Sequence, residues 1–492
     1  MVVRARLSAP REERNEWPWH HAKWTPLSSS VLMAGDRRME AENYLAGGYG
    51  LRLAMEAHKD GWAHMGRLAK VWQPNRLKGI QVGPEFGTPF LAATQVFDLR
   101  PVPRKWLSLD RTENAAERFV KGGMILVTCS GNVGRATLAH KPHENILISH
   151  DLLRVEPQRP EWWGWLYAFL RSTQARSMMS AAQYGHMIKH LEVAHLDALP
   201  VPLLSDDLLA SFNGKVSELL RKRDQVHELI REAENLFAQA IGDVTTGENP
   251  EIGFSVNASD IFSSRRRLES AFHSPVASAI LKRFRQLGLR VEPLSTVNER
   301  IWWKTRFKRV FGEQGVPYMS ADELFTLNQP VTKQVVIEQA DNAHEYFVKA
   351  GWIVMACSGQ TYGLNGSVAL MTDKHENAFF SHDLIRMIPK RDRIRPGYLF
   401  MVLGHPTLGR PLVIRYAYGT SIPHLEPTDI ANFPVVRLGE REEGEIADRA
   451  EKAVACRAEA DELENDIAAE AEGLMERFLA GERKDFASAT PQ

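Results

Sequence analysis

Cysteine is scarce in this chain: three occur in 492 residues, at Cys129, Cys357 and Cys456. They lie far apart and form no Cys-x-x-Cys pair, which excludes a zinc knuckle or a thioredoxin-type motif. An odd, sparse count suits a reducing compartment. Long apolar runs are missing as well; no stretch of about 18 apolar residues occurs, so no membrane span is expected. The segment Met1 to Trp24 mixes Arg, Glu, Pro and Trp and lacks the apolar core of a secretory signal. These absences predict a cytoplasmic protein. A charge of one sign is also lacking, because 61 Lys and Arg balance 61 Asp and Glu. That balance does not advertise a nucleic-acid binder, although only local charge contacts phosphates. Catalytic signatures are absent in turn: no P-loop, no His-Glu-x-x-His, no HNH-like run, and neither the Asn-Pro-Pro-Tyr/Phe nor the Asp-Pro-Pro-Tyr of an adenine methyltransferase. A non-catalytic chain with no cofactor and no metal is the expectation.

What is present is a duplication. GTPFLAATQVF (Gly87–Phe97) returns as GVPYMSADELF (Gly315–Phe325). The block Glu117–Ala139, with VTCSGNVGRA, is matched by Glu345–Leu370, with MACSGQTYGLNGS. HENILISHDLLRVEP (His143–Pro157) matches HENAFFSHDLIRMIP (His375–Pro389), and Gln183–Leu204 matches Ala417–Leu438. Four matched blocks in one order, at a nearly constant offset, do not arise by chance.

Each copy is followed by a long helical pattern. After the first, apolar or tolerated residues recur at Leu209, Phe212, Val216, Leu219, Arg223, Val226, Ile230, Ala233 and Phe237. Those steps alternate three and four, the coiled-coil period. After the second, the seam runs Ile446, Ala453, Cys456, Ala460, Leu463, Ile467 and Leu474. Equivalent positions in a duplicated chain argue that the two helices pair; two unrelated surface helices are the plainer alternative. Short amphipathic helices are expected near Arg38 to His58 and Arg267 to Leu287. Strands are expected at MILVTC, NILISH and WIVMAC, so each unit reads as α+β.

These blocks resemble the target-recognition domains of the specificity subunits of type I restriction–modification systems. The resemblance rests on Gly87–Leu91, Ser130–Gly134, Ser149–Leu152, Gln183–Leu191 and Leu199–Pro202 in the first copy. In the second it rests on Gly315–Met319, Ser358 and Gly359, Ser381–Leu384, Tyr418–Leu425 and Phe433–Val435. The second copy departs in its longer GQTYGLNGS loop and in NFPVV for LPVP. The implied architecture is two tandem α/β target-recognition domains, each followed by a long helix, the two helices pairing as an antiparallel coiled coil. The implied divisions are an N-terminal arm at 1–35, recognition domain 1 at 36–204, a helix at 205–242, a linker at 243–262, recognition domain 2 at 263–438, a second helix at 439–481 and a tail at 482–492. Each domain is implied to read half of a bipartite, asymmetric site in double-stranded DNA. Two methyltransferase (M) subunits are implied to dock on the helices for adenine N6 methylation, with a translocating restriction (R) nuclease subunit as a further partner. A helix of about 35 residues spans about 50 Å, enough to set the separation of two readers.

Candidate contacts come from the residues themselves. Arg300, Lys304, Arg306, Lys308 and Arg309 interleave with Trp303 and other aromatics in the second copy, and Lys70, Arg76 and Lys78 occupy the equivalent stretch of the first. Such side chains neutralise phosphates, and Arg forks onto guanine; a solvated edge strand is the plainer reading. Arg135 ends the glycine turn Ser130–Gly134, which either approaches a phosphate or merely joins two strands. His143, His150, Asp151 and Cys129 recur as His375, His382, Asp383 and Cys357, but their spacing fits no zinc pattern and a Ser-His-Asp cap explains them. A coiled-coil scaffold joining two protein-binding domains, or a stand-alone DNA-modifying enzyme, are the competing functions.

Overall fold

In the computed structural model the chain is described over residues 47–76, 79–112, 114–182, 189–246, 253–263, 266–327, 333–338 and 340–487, with 29, 33, 41 and 44. The expected N-terminal arm therefore lies almost wholly outside the described residues, as do Lys78 and residues 183–188. Two compact units divide the chain. Unit 1 takes in 1–97, 101–221 and 461–492, and unit 2 takes in 98–100 and 222–460.

Unit 1 opens with helix α1 (Gly48–Glu56) and strands β1 (Trp62–His64), β2 (Ala69–Trp72), β3 (Gln81–Val82), β4 (Thr88–Leu91) and β5 (Lys105–Leu107). There follow β6 (Ile125–Thr128), β7 (Ala136–Leu138), β8 (Leu147–Ile148), β9 (Leu152–Pro157), α2 (Trp163–Arg171), α3 (Thr173–Ala182) and β10 (Pro200–Pro202). One antiparallel sheet has the order β2-β9-β6-β7. A second has the order β3-β5-β4-β8, in which β4 runs parallel to β8 with Phe90 opposite Leu147. Of the helix expected near Arg38 to His58, the described residues show Gly48–Glu56, which follows Gly47 in the left-handed region (φ 73°). Glycine is needed at position 48, since a Cβ there would lie 2.0 Å from the Ser177 carbonyl oxygen of α3.

Unit 2 repeats the plan with α4 through α7, of which both long helices, α4 (Asp206–Ile241) and α7 (Glu440–Leu479), are divided along their length between the units. Its other elements are α5 (Pro275–Gln286), β11 (Arg290–Pro293), β12 (Asn298–Trp302), β13 (Phe311–Met319), β14 (Gln334–Val335), β15 (Ile353–Ala356), β16 (Val368–Leu370), β17 (Phe379–Phe380), β18 (Leu384–Pro389), α6 (Pro396–Gly404), β19 (Pro434–Arg437) and α7 (Glu440–Leu479). The sheet β12-β18-β15-β16 is the counterpart of β2-β9-β6-β7, and β13 runs parallel to β17 as β4 does to β8. Helix α5 starts later than the expected Arg267 because Pro275 fixes its first turn and holds Ser274 extended (ψ 127°). Alternation along β15 splits the core. Ile353 and Met355 pack with Phe237, Ile241, Ala447 and Ala450, whereas Val354 and Ala356 pack with Leu324, Phe380 and Leu384.

The long helices α4 and α7 run antiparallel in both units. In unit 1, Ser205 N donates to Asp485 O at 3.1 Å and Lys215 pairs with Glu470. In unit 2, Lys222 Nζ lies 2.6 Å from Glu459 and Arg449 Nε 3.2 Å from Glu232. Rising number in one helix thus meets falling number in the other. Most of the expected seam is buried, including Leu209, Phe212, Val216, Leu219, Arg223, Ala233, Phe237, Ile446, Ala453, Cys456, Ala460, Ile467 and Leu474. Leu463 is a departure: it is half-buried, and its neighbour Glu464 is 2% exposed instead. The Tyr167 hydroxyl donates to Glu464, and Arg171 Nε lies 3.6 Å away, so α2 supplies the partners that a buried carboxylate requires. No helix of the described residues is long and apolar enough to cross a membrane.

Candidate nucleic-acid interface

In unit 1, β2 forms an edge of its sheet, with Lys70 exposed opposite Glu156 of β9. The chain leaves β2 through Gln73, Pro74, Asn75 and Arg76. Gln73 Nε2 donates to the His150 carbonyl oxygen (2.7 Å) and approaches Cys129 Sγ (3.3 Å), and Arg118 Nη2, on a fully buried side chain, donates to Asn75 O (2.6 Å). These bonds pin the segment that carries exposed Arg76 against the Ser-His-Asp turn.

That turn is built identically in both copies. Asp151 accepts from Ser130 Oγ (3.2 Å) and Ser149 Oγ (3.1 Å), and Asp383 accepts from Ser358 Oγ (3.0 Å) and Ser381 Oγ (3.1 Å). Beneath each turn lies a buried arginine. Arg154 donates to the carbonyls of Ser149 (3.1 Å), Ile148 (3.3 Å) and Leu152, and Arg386 to those of Leu384 (2.8 Å), Phe380 (3.1 Å) and Ser381 (3.1 Å). An arginine three residues past each Ser-His-Asp triplet is therefore a framework cation that satisfies turn carbonyls. The carboxylates serve hydroxyls, and burial pushes the Cys129 thiol up to about 11 and the Cys357 thiol up to about 12, which keeps both protonated and poor as metal ligands. Among the described residues no three His, Cys, Asp or Glu side chains converge to hold a metal.

In unit 2, β12 is the matching edge strand. Trp303, 37% exposed, follows it, and the Tyr346 hydroxyl donates to Thr305 O (2.9 Å), doing for this loop what Arg118 does for Asn75. Glu345 accepts from Arg300 Nη2 (2.6 Å) and Lys304 Nζ (2.7 Å). Bonds from Lys304 and then Arg300 hold the Glu345 carboxyl down at about 2. Arg300 also lies over the Trp302 ring at 4.5 Å. Both cations of this pair are thus answered within the unit. Arg306, Lys308 and Arg309 are exposed and line an open groove of about 630 Å³ with Phe311, Asp322 and Lys333. Arg309 Nη1 donates to the Tyr318 hydroxyl at 3.3 Å.

The cations of both edges act on the histidine of the neighbouring turn. Burial lowers the pKa of His150, and the positive charges of Arg118, Arg76 and Arg154 lower it further against the opposing pull of Asp151. Burial likewise lowers that of His382, with Arg309, Arg306 and Arg386 adding to it against Asp383. Both copies thus raise a positive field at the same place, sharing the buried Arg154 and Arg386 and differing in the other cations.

Arg135 is placed differently from the edge cations. It is half-buried, with its guanidinium 4.0 Å over the Phe97 ring. The glycine turn before it closes the β6–β7 hairpin: Gly131 N donates to Lys189 O (3.1 Å), Gly134 N to Thr128 O (2.9 Å) and Arg135 N to Thr128 Oγ1 (2.9 Å). With these amides bonded internally, the turn joins strands and offers no row of amides to a phosphate. Sequence reading missed Glu345, Asp322 and Lys333. The duplication aligns Glu345 with Glu117, but which cations a carboxylate binds is written in contacts more than 40 residues apart.

Neither a family model nor a curated relative matches the sequence. Among solved structures the chain is similar to the S subunit of a type I restriction–modification system from M. genitalium, at 15% identity over 88% of this chain and 98% of that one, with a TM-score of 0.32. It is similar to the HsdS subunit from Thermoanaerobacter tengcongensis at 11% identity over 85% and 96%, with a TM-score of 0.24. A structure described by its complex assembly and conformational transition in a type I R-M system matches at 13% identity over 85% and 97%, with a TM-score of 0.26.

Proposed function

We propose that the chain is the sequence-reading subunit of a type I restriction–modification complex. It binds double-stranded DNA at a bipartite, asymmetric site, one half read by each unit, and positions other subunits without catalysing a reaction itself. The observation that carries this reading is the twin edge: in each unit an exposed stretch follows an edge strand and sets positive charge beside the same Ser-His-Asp turn, Arg76 in unit 1 and Arg306 and Arg309 in unit 2. A backbone-tracking protein needs such cations where they are free of internal carboxylates. Arg76, Arg306, Lys308 and Arg309 meet that need. Lys70 stands opposite Glu156, and Arg300 and Lys304 are engaged by Glu345, so these three take a lesser share, with Trp303 as an exposed stacking surface. Arg135 serves the fold of its hairpin, and Lys78 belongs to the same stretch as Arg76.

The remaining parts are what the resemblance to type I specificity subunits implies. The paired helices are the spacer and the docking place of two methyltransferase (M) subunits that modify adenine at N6; a nuclease (R) subunit completes the restriction form. No cofactor is assigned to this chain. Mapping modified adenines in the genome of its host, with the gene intact and deleted, tests the whole reading. Loss of methylation at a two-part, non-palindromic motif is the expected result. An unchanged map, a palindromic motif, or methylation of DNA by the purified chain with S-adenosylmethionine alone would each overturn it.

A further inference from the structure

The groove of unit 2 holds four cations, Arg306, Lys308, Arg309 and Lys333, and one exposed carboxylate that they do not explain, Asp322. A carboxylate repels phosphate, so its presence among phosphate-seeking side chains calls for another partner. The adjacent acid is committed to the fold. Glu323 Oε2 accepts from the amide and the hydroxyl of Ser320, both at 2.8 Å, and Glu323 Oε1 lies 3.5 Å from Lys333. Asp322 has no side-chain hydrogen bond or ion pair among the described residues. The duplication sharpens the contrast. Position 323 is matched by Gln95, whose Oε1 accepts from Ala92 N (3.1 Å) just as Glu323 accepts from Ser320 N. Position 322 is matched by Thr94, so the acid belongs to the second copy alone.

We propose that Asp322 and Arg309 together read one G·C pair in the half-site of unit 2. This deepens the DNA-reading function and rests on it. In the major groove a carboxylate accepts from the cytosine amino group, while an arginine forks onto O6 and N7 of the paired guanine. Those groups lie side by side on one base-pair edge. Adenine also offers an amino group, but it sets the N7 acceptor beside it, which a lone carboxylate repels and an amide side chain satisfies. Arg306 and Lys308 take the flanking phosphates, Lys333 beside Glu323 takes a lesser share, and Phe311 supplies apolar contact.

Selection from a pool of randomised duplexes tests this, with the full-length protein purified from its own host together with the subunits that accompany it. The wild-type protein is expected to require a G·C pair at one position of one half-site. Asp322→Asn and Asp322→Ala are expected to reduce discrimination at that position by about tenfold, leaving the other half-site as it was. An unaltered preference in both variants, or wild-type half-sites without a required G·C pair, overturns the proposal while the DNA-reading function stands. A wild-type protein that selects no sequence at all removes the function beneath it.

Discussion

Glu345 holds two cations that a polyanion would otherwise take. Arg300 is half exposed, yet both it and Lys304 donate to this one carboxylate. The arrangement limits sequence-blind attraction, because each free cation adds about one unit to the steepness with which affinity falls with salt. Glu345→Gln is expected to raise affinity for a duplex of unrelated sequence severalfold at about 50 mM salt and to steepen the salt dependence by one to two units. Titrations of the full chain between about 50 and about 200 mM salt measure this, and an unchanged slope would count against the lock. Acid does not release the lock under working conditions. The folded carboxyl titrates at about 2, below the range of about 4.3 for an unperturbed Glu, so its stabilising share is present above about 4.3 and lost only as the pH falls toward 2.

Helices α2 and α6 show how one packing solution is used twice. Gly164 opens α2 against α4, where Asn213 Oδ1 accepts from its amide (2.6 Å) and an added Cβ would lie 2.5 Å from the Asn213 nitrogen. Gly397 opens α6 against α7, where Glu451 Oε1 accepts from its amide (3.0 Å) and a Cβ would lie 2.7 Å from Ala447 O. Each helix therefore seats on the long helix that follows it in the chain. The far end of α6 carries His405, whose ring packs on Phe237 (5.3 Å). Leu408 N donates to His405 Nδ1 (3.2 Å), so Nε2 bears the proton and donates to Glu234 O of α4 (3.2 Å). Burial, with help from Arg100, lowers this histidine to about 4. A folded value below the unfolded 6.5 means the unfolded chain binds the proton first. Stability is complete above about 6.5 and falls as the pH drops toward 4, by about 3 kcal/mol for this group. His405→Gln keeps a donor for Glu234 and removes the titration. Urea unfolding across that pH range should lose less stability in the variant than in the wild type; parallel curves would refute the assignment.

At the scale of the molecule, a duplication has kept its framework and changed its edges. The Ser-His-Asp turns, the buried Arg154 and Arg386, and the parallel pairs β4–β8 and β13–β17 are common to both copies. Arg118 has become Tyr346, Thr94 has become Asp322, and the cations differ in number and place. Unlike edges on like frames predict unlike half-sites. If the paired helices set the interval between them, seven residues added to each helix at matching layers lengthen the spacer by about 10 Å, roughly three base pairs at about 3.4 Å each. Site mapping with that variant should show a longer unread gap between unchanged half-sites. Altered half-site sequences with the old gap would contradict the spacer role.

Much of this protein was written in local order. The repeat is visible as Gly87–Phe97 against Gly315–Phe325, and the three–four rhythm from Leu209 to Phe237 specifies a helix with one apolar seam, because periodicity needs only neighbours along the chain. The Ser-His-Asp cap was legible for the same reason: Ser149 and Asp151 are two residues apart. Tertiary structure decided the rest. It placed Glu464 in the seam beside Leu463, since only α2 could bring Tyr167 to it from 297 residues away. It withdrew Lys304 through a carboxylate 41 residues distant and left Arg306, Lys308 and Arg309 on an open groove with Asp322. Charge in a sequence is a composition; whether it is available to a ligand depends on which opposite charge the fold brings within about 4 Å.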